Sequence, residues 1–189
     1  MRVIAGSHRG RRLSAPQGRS LRPTSDKVRG ALFSILGPRI SGSRFLDLYA
    51  GTGAVGIEAL SRGAIVVTFV ESDPTAMQVL HNNLTTCDLF GQAELRREPA
   101  EQFLRQRQWQ HAPYEIVFAD PPYADPEAVE LVLAGWSIGL LAPDAVMVIE
   151  QDARAELPAA TNDARFTRRY RYGDTALLLY GSAPRGLPS

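Results

Sequence analysis

From Arg44 onward, short apolar runs alternate with longer stretches whose apolar residues recur every three to four positions. FLDLYA (45–50), AIVVTFVES (64–72), AELRRE (93–98), YEIVFAD (114–120) and AVMVIEQD (145–152) have the length and apolar content of buried strands. Between them VGIEALSRG, TAMQVLHNNL, AEQFLRQRQ and PEAVELVLAGWSIGLL follow the helical period. The tail RFTRRYRYG-D-TALLLYG predicts two strands around Gly173-Asp174, a hairpin turn signal. Ahead of this body, RVIAG and RRLSA flank Ser7-His8-Arg9-Gly10, and glycines at 6 and 10 permit a small β-hairpin. Ser25-Asp26 then caps a helix that turns Val28, Leu32, Ile35 and Leu36 to one face and stops at Gly37-Pro38. Strand–helix alternation closed by a hairpin means a mostly parallel, helix-covered sheet with an antiparallel edge.

The 189 residues suit one domain with an appendage, divided as an arm at 1–20 and a body at 21–189. No apolar run approaches the roughly 20 residues of a membrane-spanning helix, and the N-terminus lacks the pattern of a secretory signal. A lone cysteine, Cys87, cannot staple the fold, so a reducing cytoplasm is the expected setting. His8, His81 and His111 lack metal-ligand spacing, and no metal site is expected. Cys87, Trp109 and Trp136 read as packing residues, and His81-Asn82-Asn83 as a surface helix end. A monomer is the simplest expectation.

Charge sharpens the picture. Residues 1–30 hold eight bases against the single acid Asp26, a net +7, whereas the remaining 159 hold 13 bases against 19 acids, a net −6. A basic arm on an acidic body points to a polyanionic partner. Arg9, Arg11 and Arg12 near the hairpin tip, with Arg19 behind them, are the candidate contacts to such a partner. A solvated terminus is the competing reading. Tyr170 and Tyr172, mixed with Arg168, Arg169 and Arg171, could extend that polyanion-binding face, though alternation at a sheet edge explains them equally well.

The candidate chemistry sits in two turns. In Asp47-Leu48-Tyr49-Ala50-Gly51-Thr52-Gly53-Ala54-Val55-Gly56, glycines at 51 and 53 let backbone pass close to a ligand, and Gly56 lets the following helix pack on its strand. This G-x-G-x-x-G pattern also fits nicotinamide and flavin proteins. Glu71 ends the second strand, 20 residues on, where an acid can accept hydrogen bonds from both ribose hydroxyls of an adenosine. Asp120-Pro121-Pro122-Tyr123 separates the possibilities. Two prolines remove two N–H donors and leave carbonyl oxygens beside the Asp120 carboxylate as acceptors for an exocyclic amino group. Tyr123 can stack on a flat base.

The trio DLYAGTGAVG, VES and DPPY resembles the class I S-adenosylmethionine-dependent methyltransferases that act on exocyclic amines. RVIAGSHRGRRL, LRPTSDKVRGALFSIL and FLDLYAGTGAVGIEALSRGA narrow the resemblance to the RsmD-like methyltransferases of 16S ribosomal RNA, from residue 2 to about 180. The resemblance implies a Rossmann-like fold, a mostly parallel seven-stranded sheet with a C-terminal antiparallel hairpin and an N-terminal β-hairpin extension. It implies S-adenosyl-L-methionine as cofactor and the small ribosomal subunit as partner, with N2 of the guanine conventionally numbered 966 as acceptor. It places Asp47, Gly51, Gly53 and Gly56 around the cofactor, Glu71 on its ribose, and Arg22, Pro23 and Thr24 beside its methionine end. Asp120 would hold the guanine amine with the Pro121 carbonyl, ahead of Pro122, and Tyr123 would pack on the base. After the third strand the chain reads Arg96-Arg97-Glu98-Pro99-Ala100-Glu101, which leaves adenine recognition open between Glu98 and the Ala100 backbone. A DNA amino-methyltransferase shares DPPY but needs a target-recognition region for which 189 residues leave no room. A nicotinamide oxidoreductase has no need of DPPY. A non-catalytic RNA-binding protein would have no reason to keep Asp120 and Tyr123.

Overall fold

Seven strands build the sheet that organises the protein: β1 (Arg44–Leu48), β2 (Val66–Val70), β3 (Ala93–Arg96), β4 (Tyr114–Ala119), β5 (Leu141–Asp152), β6 (Ala164–Tyr172) and β7 (Thr175–Ser182). The computed structural model describes residues 1–15, 25–106, 108–122, 126–157 and 164–182, with backbone alone at 126–128. The order across the sheet is β3-β2-β1-β4-β5-β7-β6. β1 to β5 are parallel, and β7 inserts antiparallel between β5 and β6. This is the expected mostly parallel α/β sheet with its antiparallel C-terminal hairpin.

Helices cover both faces. α1 (Asp26–Leu36), α2 (Ala54–Ser61) and α3 (Pro74–Cys87) lie on one; α4 (Ala100–Leu104) and α5 (Pro126–Leu133) lie on the other. The two-residue strand period divides the core accordingly. Phe45, Phe69, Ile116, Phe118 and Val148 join the first cluster, while Leu46, Val70, Val117, Met147 and Ile149 join the second. Each such side chain stabilises the fold by about 1.5–3 kcal/mol when fully buried. Ser25 caps α1 as expected, accepting from the Val28 N–H at 3.2 Å.

Three readings change. The helix expected through residue 141 stops at Leu133, followed by a 3-10 turn at Ala134–Trp136. Gly139, at φ 77°, then reverses the chain, so Leu141 already belongs to β5. Ile35 is only half-buried and Phe33 takes its place in the core. Asn83, expected at the surface, is 1% exposed, because α3 continues past it to Cys87 and its amide takes backbone partners.

The N-terminal arm folds back as a minimal hairpin. Arg2 and Arg12 form an antiparallel bridge, and Val3 N–H donates to the Arg11 carbonyl at 3.0 Å. Val3 and Leu13 enter the α1–α3 core cluster. Glu58, fully buried on α2, accepts the backbone N–H groups of Ile4 (2.7 Å) and Ala5 (3.0 Å) together with Arg62 Nε (2.7 Å). A Cβ on Gly6 would stand 1.8 Å from the Ser61 carbonyl oxygen, so only glycine permits this approach.

Candidate active site

β1 is the strand from which the chain leaves in both directions, to β2 and β3 on one side and to β4 and β5 on the other. Ligands of open α/β sheets bind at the carboxyl ends of the strands where the order reverses in this way. The glycine turn fills that place. Tyr49, Gly51 and Gly53 adopt positive φ (61°, 56° and 76°), and Gly53 caps α2. The turn is held by Ala50 N–H on the Val70 carbonyl (3.0 Å) and Gly53 N–H on the Ala50 carbonyl (2.8 Å).

The three glycines differ in purpose. A Cβ at Gly53 would lie 2.0 Å from Leu80 Cδ1, and one at Gly56 would lie 2.2 Å from Phe69 Cε1. Both are packing positions, Gly53 against α3 and Gly56 seating α2 on β2. Among the described residues, a Cβ at Gly51 would meet nothing nearer than the Tyr49 carbonyl oxygen at 4.0 Å. Of the three glycines, Gly51 is the one with room for a ligand beside its backbone among the described residues.

Carboxylates surround it. Asp47 lies beneath the turn, 1% exposed, and Oδ2 accepts the Gly56 N–H at 2.9 Å. Burial pushes its pKa well above the ordinary carboxylate value. The Gly56 hydrogen bond opposes this shift, and the negative charges of Asp120 and Glu71 add to it. Glu71, just past β2, accepts from Gly51 N–H and from Asp73 N–H, both at 2.8 Å. Asp120 follows β4 and donates its N–H to the Leu48 carbonyl at 3.4 Å, which sets the DPP turn against the end of β1. Pro121 is buried and Pro122 exposed. Such a ring of acceptors suits a ligand rich in hydroxyl and amino hydrogens.

After β3, the Glu98 carboxylate accepts from Arg96 Nε (2.8 Å) and Gln106 Nε2 (2.7 Å), and the Glu98 hydrogen bond holds the Arg96 guanidinium above its ordinary pKa. Ala100 is buried at the start of α4. Sequence reasoning missed the neighbour Glu101, whose Oε1 accepts from the Tyr49 hydroxyl at 2.8 Å and so reaches the glycine turn from α4.

Asp47, Gly51, Glu71 and Asp120 therefore gather at the carboxyl ends of β1, β2 and β4, while Gly53 and Gly56 are packed into the core behind them. Arg19, Arg22, Thr24 and Tyr123 lie outside the described residues. Arg9, Arg11 and Arg12 are exposed but stand elsewhere. The hairpin tip rests on Ser61, with Ser7 N–H on the Ser61 carbonyl at 2.8 Å, at the end of α2 opposite Gly53. Eight helical residues put those ends about 12 Å apart. Arg11 reaches the Thr86 carbonyl at 3.4 Å. Also missed was the bond from Asn83 to Thr52 inside the glycine turn. Its signal was an amide beside the apolar Leu80 and Leu84 of the same helix.

A family profile described as "Conserved hypothetical protein 95" matches residues 1–181. Ribosomal RNA small subunit methyltransferase D of Escherichia coli is 37% identical over 186 residues, covering 98% of this chain and 92% of its own. The chain belongs to the RsmD family. YlbH of Bacillus subtilis is 40% identical over 180 residues, covering 95% of this chain and 98% of its own. The solved structure of Escherichia coli yhhF superposes with a TM-score of 0.85 at 37% identity, covering 96% of this chain and 97% of that one. In this RsmD-family protein the glycine turn and the DPP turn thus belong to a methyltransferase fold. No helix among its described residues is long and apolar enough to cross a membrane.

Proposed function

We propose that this protein transfers the methyl group of S-adenosylmethionine to the exocyclic N2 of a guanine in 16S ribosomal RNA. The guanine is the one conventionally numbered 966, presented by the assembled small subunit. The observation that carries the reading is the placement of the Asp120-Pro121-Pro122 turn on the strand next to β1, level with the open cradle at Gly51 and with Glu71 across it. The name of the Escherichia coli relative supports the RNA class.

The residues present fit the cofactor. Gly51 leaves space that a Cβ would fill, and the Glu71 carboxylate beside it, an acceptor already held in place by the Gly51 and Asp73 N–H groups, has lone pairs left for ribose hydroxyls. Gly51 would pass against the nucleoside, Glu71 would hold the ribose, and Asp47 beneath them would fix the turn through Gly56. The Ala100 backbone is the better adenine contact, since the Glu98 carboxylate is engaged by Arg96 and Gln106. Arg22 and Thr24 would serve the methionine end. When bound, S-adenosylmethionine supplies a methyl group already activated on a sulfonium, so the reading calls for no metal.

Asp120 and the Pro121 carbonyl then do the chain's own work. Guanine N2 is a weak nucleophile because its lone pair is delocalised into the ring. Acceptors on its two hydrogens favour the pyramidal amine and aim that lone pair, and Tyr123 would stack on the base. Orientation of this kind supplies much of the acceleration, and Asp120 needs no strong basicity. The protein works in this reading as a cytoplasmic monomer, its arm on the ribosomal particle.

The test offers S-adenosylmethionine labelled at the methyl group with undermethylated 30S subunits, stripped 16S RNA and duplex DNA in parallel. Label on 30S, mapped to N2-methylguanine, is expected. Label on DNA alone would overturn the RNA target, and cofactor binding with no transfer would favour a binding protein on this fold.

A further inference from the structure

The C-terminal edge of the sheet carries a charge pattern that the fold does not use. β6 contains Arg165, Arg168, Arg169 and Arg171 and no acid in nine residues. Set apart from residues 1–30 and this strand, the other 150 residues carry a net −10, so the basic charge of the protein is confined to the arm and to β6. β6 is the last strand in the sheet order among the described residues. Only Arg169 has a structural duty, donating to the Ala153 and Ala155 carbonyls. Arg165, Arg168 and Arg171 are exposed and form no ion pair among the described residues.

The register fixes where these side chains stand. Arg165 pairs with Gly181, Arg168 with Leu179 and Tyr170 with Leu177, positions on one face of β7, whereas Arg171 pairs with Ala176 and stands on the other face, so the three arginines border the strand from both sides. The bulge between Phe166 and Arg168 is what keeps Arg165 and Arg168 on that common face. The Arg168 guanidinium lies 5.1 Å from the Tyr170 ring centroid, and its side chain is exposed. One row of partners runs Ala119, Ile149, Leu178, Arg169 across β4, β5, β7 and β6. Tyr170 therefore stands at the level of Asp120, three strand spacings or about 14 Å away.

We infer that the β6 edge is a second contact for the RNA sugar-phosphate backbone, made by Arg165, Arg168 and Arg171 on the flank of the site opposite β3. The inference rests on the RNA reading given above and names how that RNA is held. Guanidinium groups interleaved with aromatic rings suit a phosphate chain whose bases are unpaired. The distance lets RNA bound at Asp120 reach the strand, whereas the arm tip meets it at the far end of α2. Edge arginines that merely discourage strand pairing would serve equally well at the far end of β6; these continue to the level of Asp120.

The experiment compares the protein with an Arg165→Ala/Arg168→Ala/Arg171→Ala variant and the corresponding triple Lys variant, measuring 30S binding against salt and steady-state methyl transfer. Loss of three phosphate contacts should lower the slope of log K against log salt by about 2, at roughly 0.7 per single-strand contact. KM for RNA should rise roughly tenfold, with kcat at saturating RNA and cofactor affinity retained, and the Lys variant should recover the slope. If the triple Ala variant does not fold, Arg165→Ala and Arg171→Ala singly should each lower the slope by about 0.7. An unchanged slope and KM, with the parent enzyme active on 30S, overturns the β6 contact and leaves the function standing. A parent enzyme that labels no RNA overturns both.

Discussion

The Asn83 side-chain amide donates to the Thr52 carbonyl at 2.9 Å, and so ties α3 to the interior of the glycine turn. Its Oδ1 accepts from Ser14 N–H at 2.8 Å, and its Nδ2 also reaches the Ser14 carbonyl at 3.2 Å. One buried amide thereby joins the N-terminal arm to the cofactor cradle.

Asn83→Ala should leave the Thr52 carbonyl and the Ser14 N–H without this partner, at a cost of about 1–3 kcal/mol. Equilibrium unfolding checks that loss. Cofactor affinity, measured by calorimetry on the folded fraction, should weaken as well. Full affinity would mean that the turn keeps its shape without the amide.

Glycine substitutions separate packing from ligand approach. Gly56→Ala should destabilise by about 1–3 kcal/mol, because the new methyl meets Phe69 in the core. Gly51→Ala has open space but must hold φ near 56°, a strain of about 1–2 kcal/mol. It should lose cofactor affinity well beyond that stability change, since the methyl group enters the cradle. Parallel melting and cofactor titration distinguish the two.

Asp47 gives a pH signature. Its folded pKa is raised, so between the ordinary value of 3.8 and that raised value the folded protein holds a proton that the unfolded chain has released. Its contribution to stability is therefore full at low pH and lost as pH rises through that window. Asp47→Asn retains an acceptor for the Gly56 N–H and cannot ionise. The stability of the variant relative to the parent, from denaturant midpoints at pH values rising from 3.8, should grow with pH. A flat difference would mean that Asp47 does not titrate there.

Glu58→Ala should free the arm. It leaves the Ile4 and Ala5 N–H groups and the partly exposed Arg62 without the Glu58 carboxylate, at a cost of about 1–3 kcal/mol for each group left unsatisfied. Melting temperature should fall, and amide exchange at residues 3–5 should rise more than exchange in β1. Equal acceleration everywhere would place Glu58 in the general core instead.

Much of this was readable from local pattern. The strands, the caps and the glycine turn depend on residues near one another in sequence, and Ser25, Gly37 and Gly173-Asp174 did what their chemistry requires. The polar residues with distant partners were not readable. Glu58 serves Ile4, 54 residues away, and Asn83 serves Ser14, 69 residues away. In a helix such side chains look like a solvated face until the arm's position is known. Glu58 did leave a trace, as the lone acid of AVGIEALS, a helix otherwise of small and apolar residues. Arg29, in the first turn of α1, left none. It is fully buried, donates to the Arg2 carbonyl and to Asp26, and burial lowers its pKa.

The most direct measurement pairs cofactor binding with single-turnover methyl transfer for Asp120→Ala. If Asp120 holds the acceptor amine, transfer to 30S should fall by about two orders of magnitude or more, as for loss of an oriented group. The dissociation constant for S-adenosylmethionine should stay close to that of the parent, since Gly51 and Glu71 are untouched. Near-normal transfer would contradict the assignment of the DPP turn as the amine site.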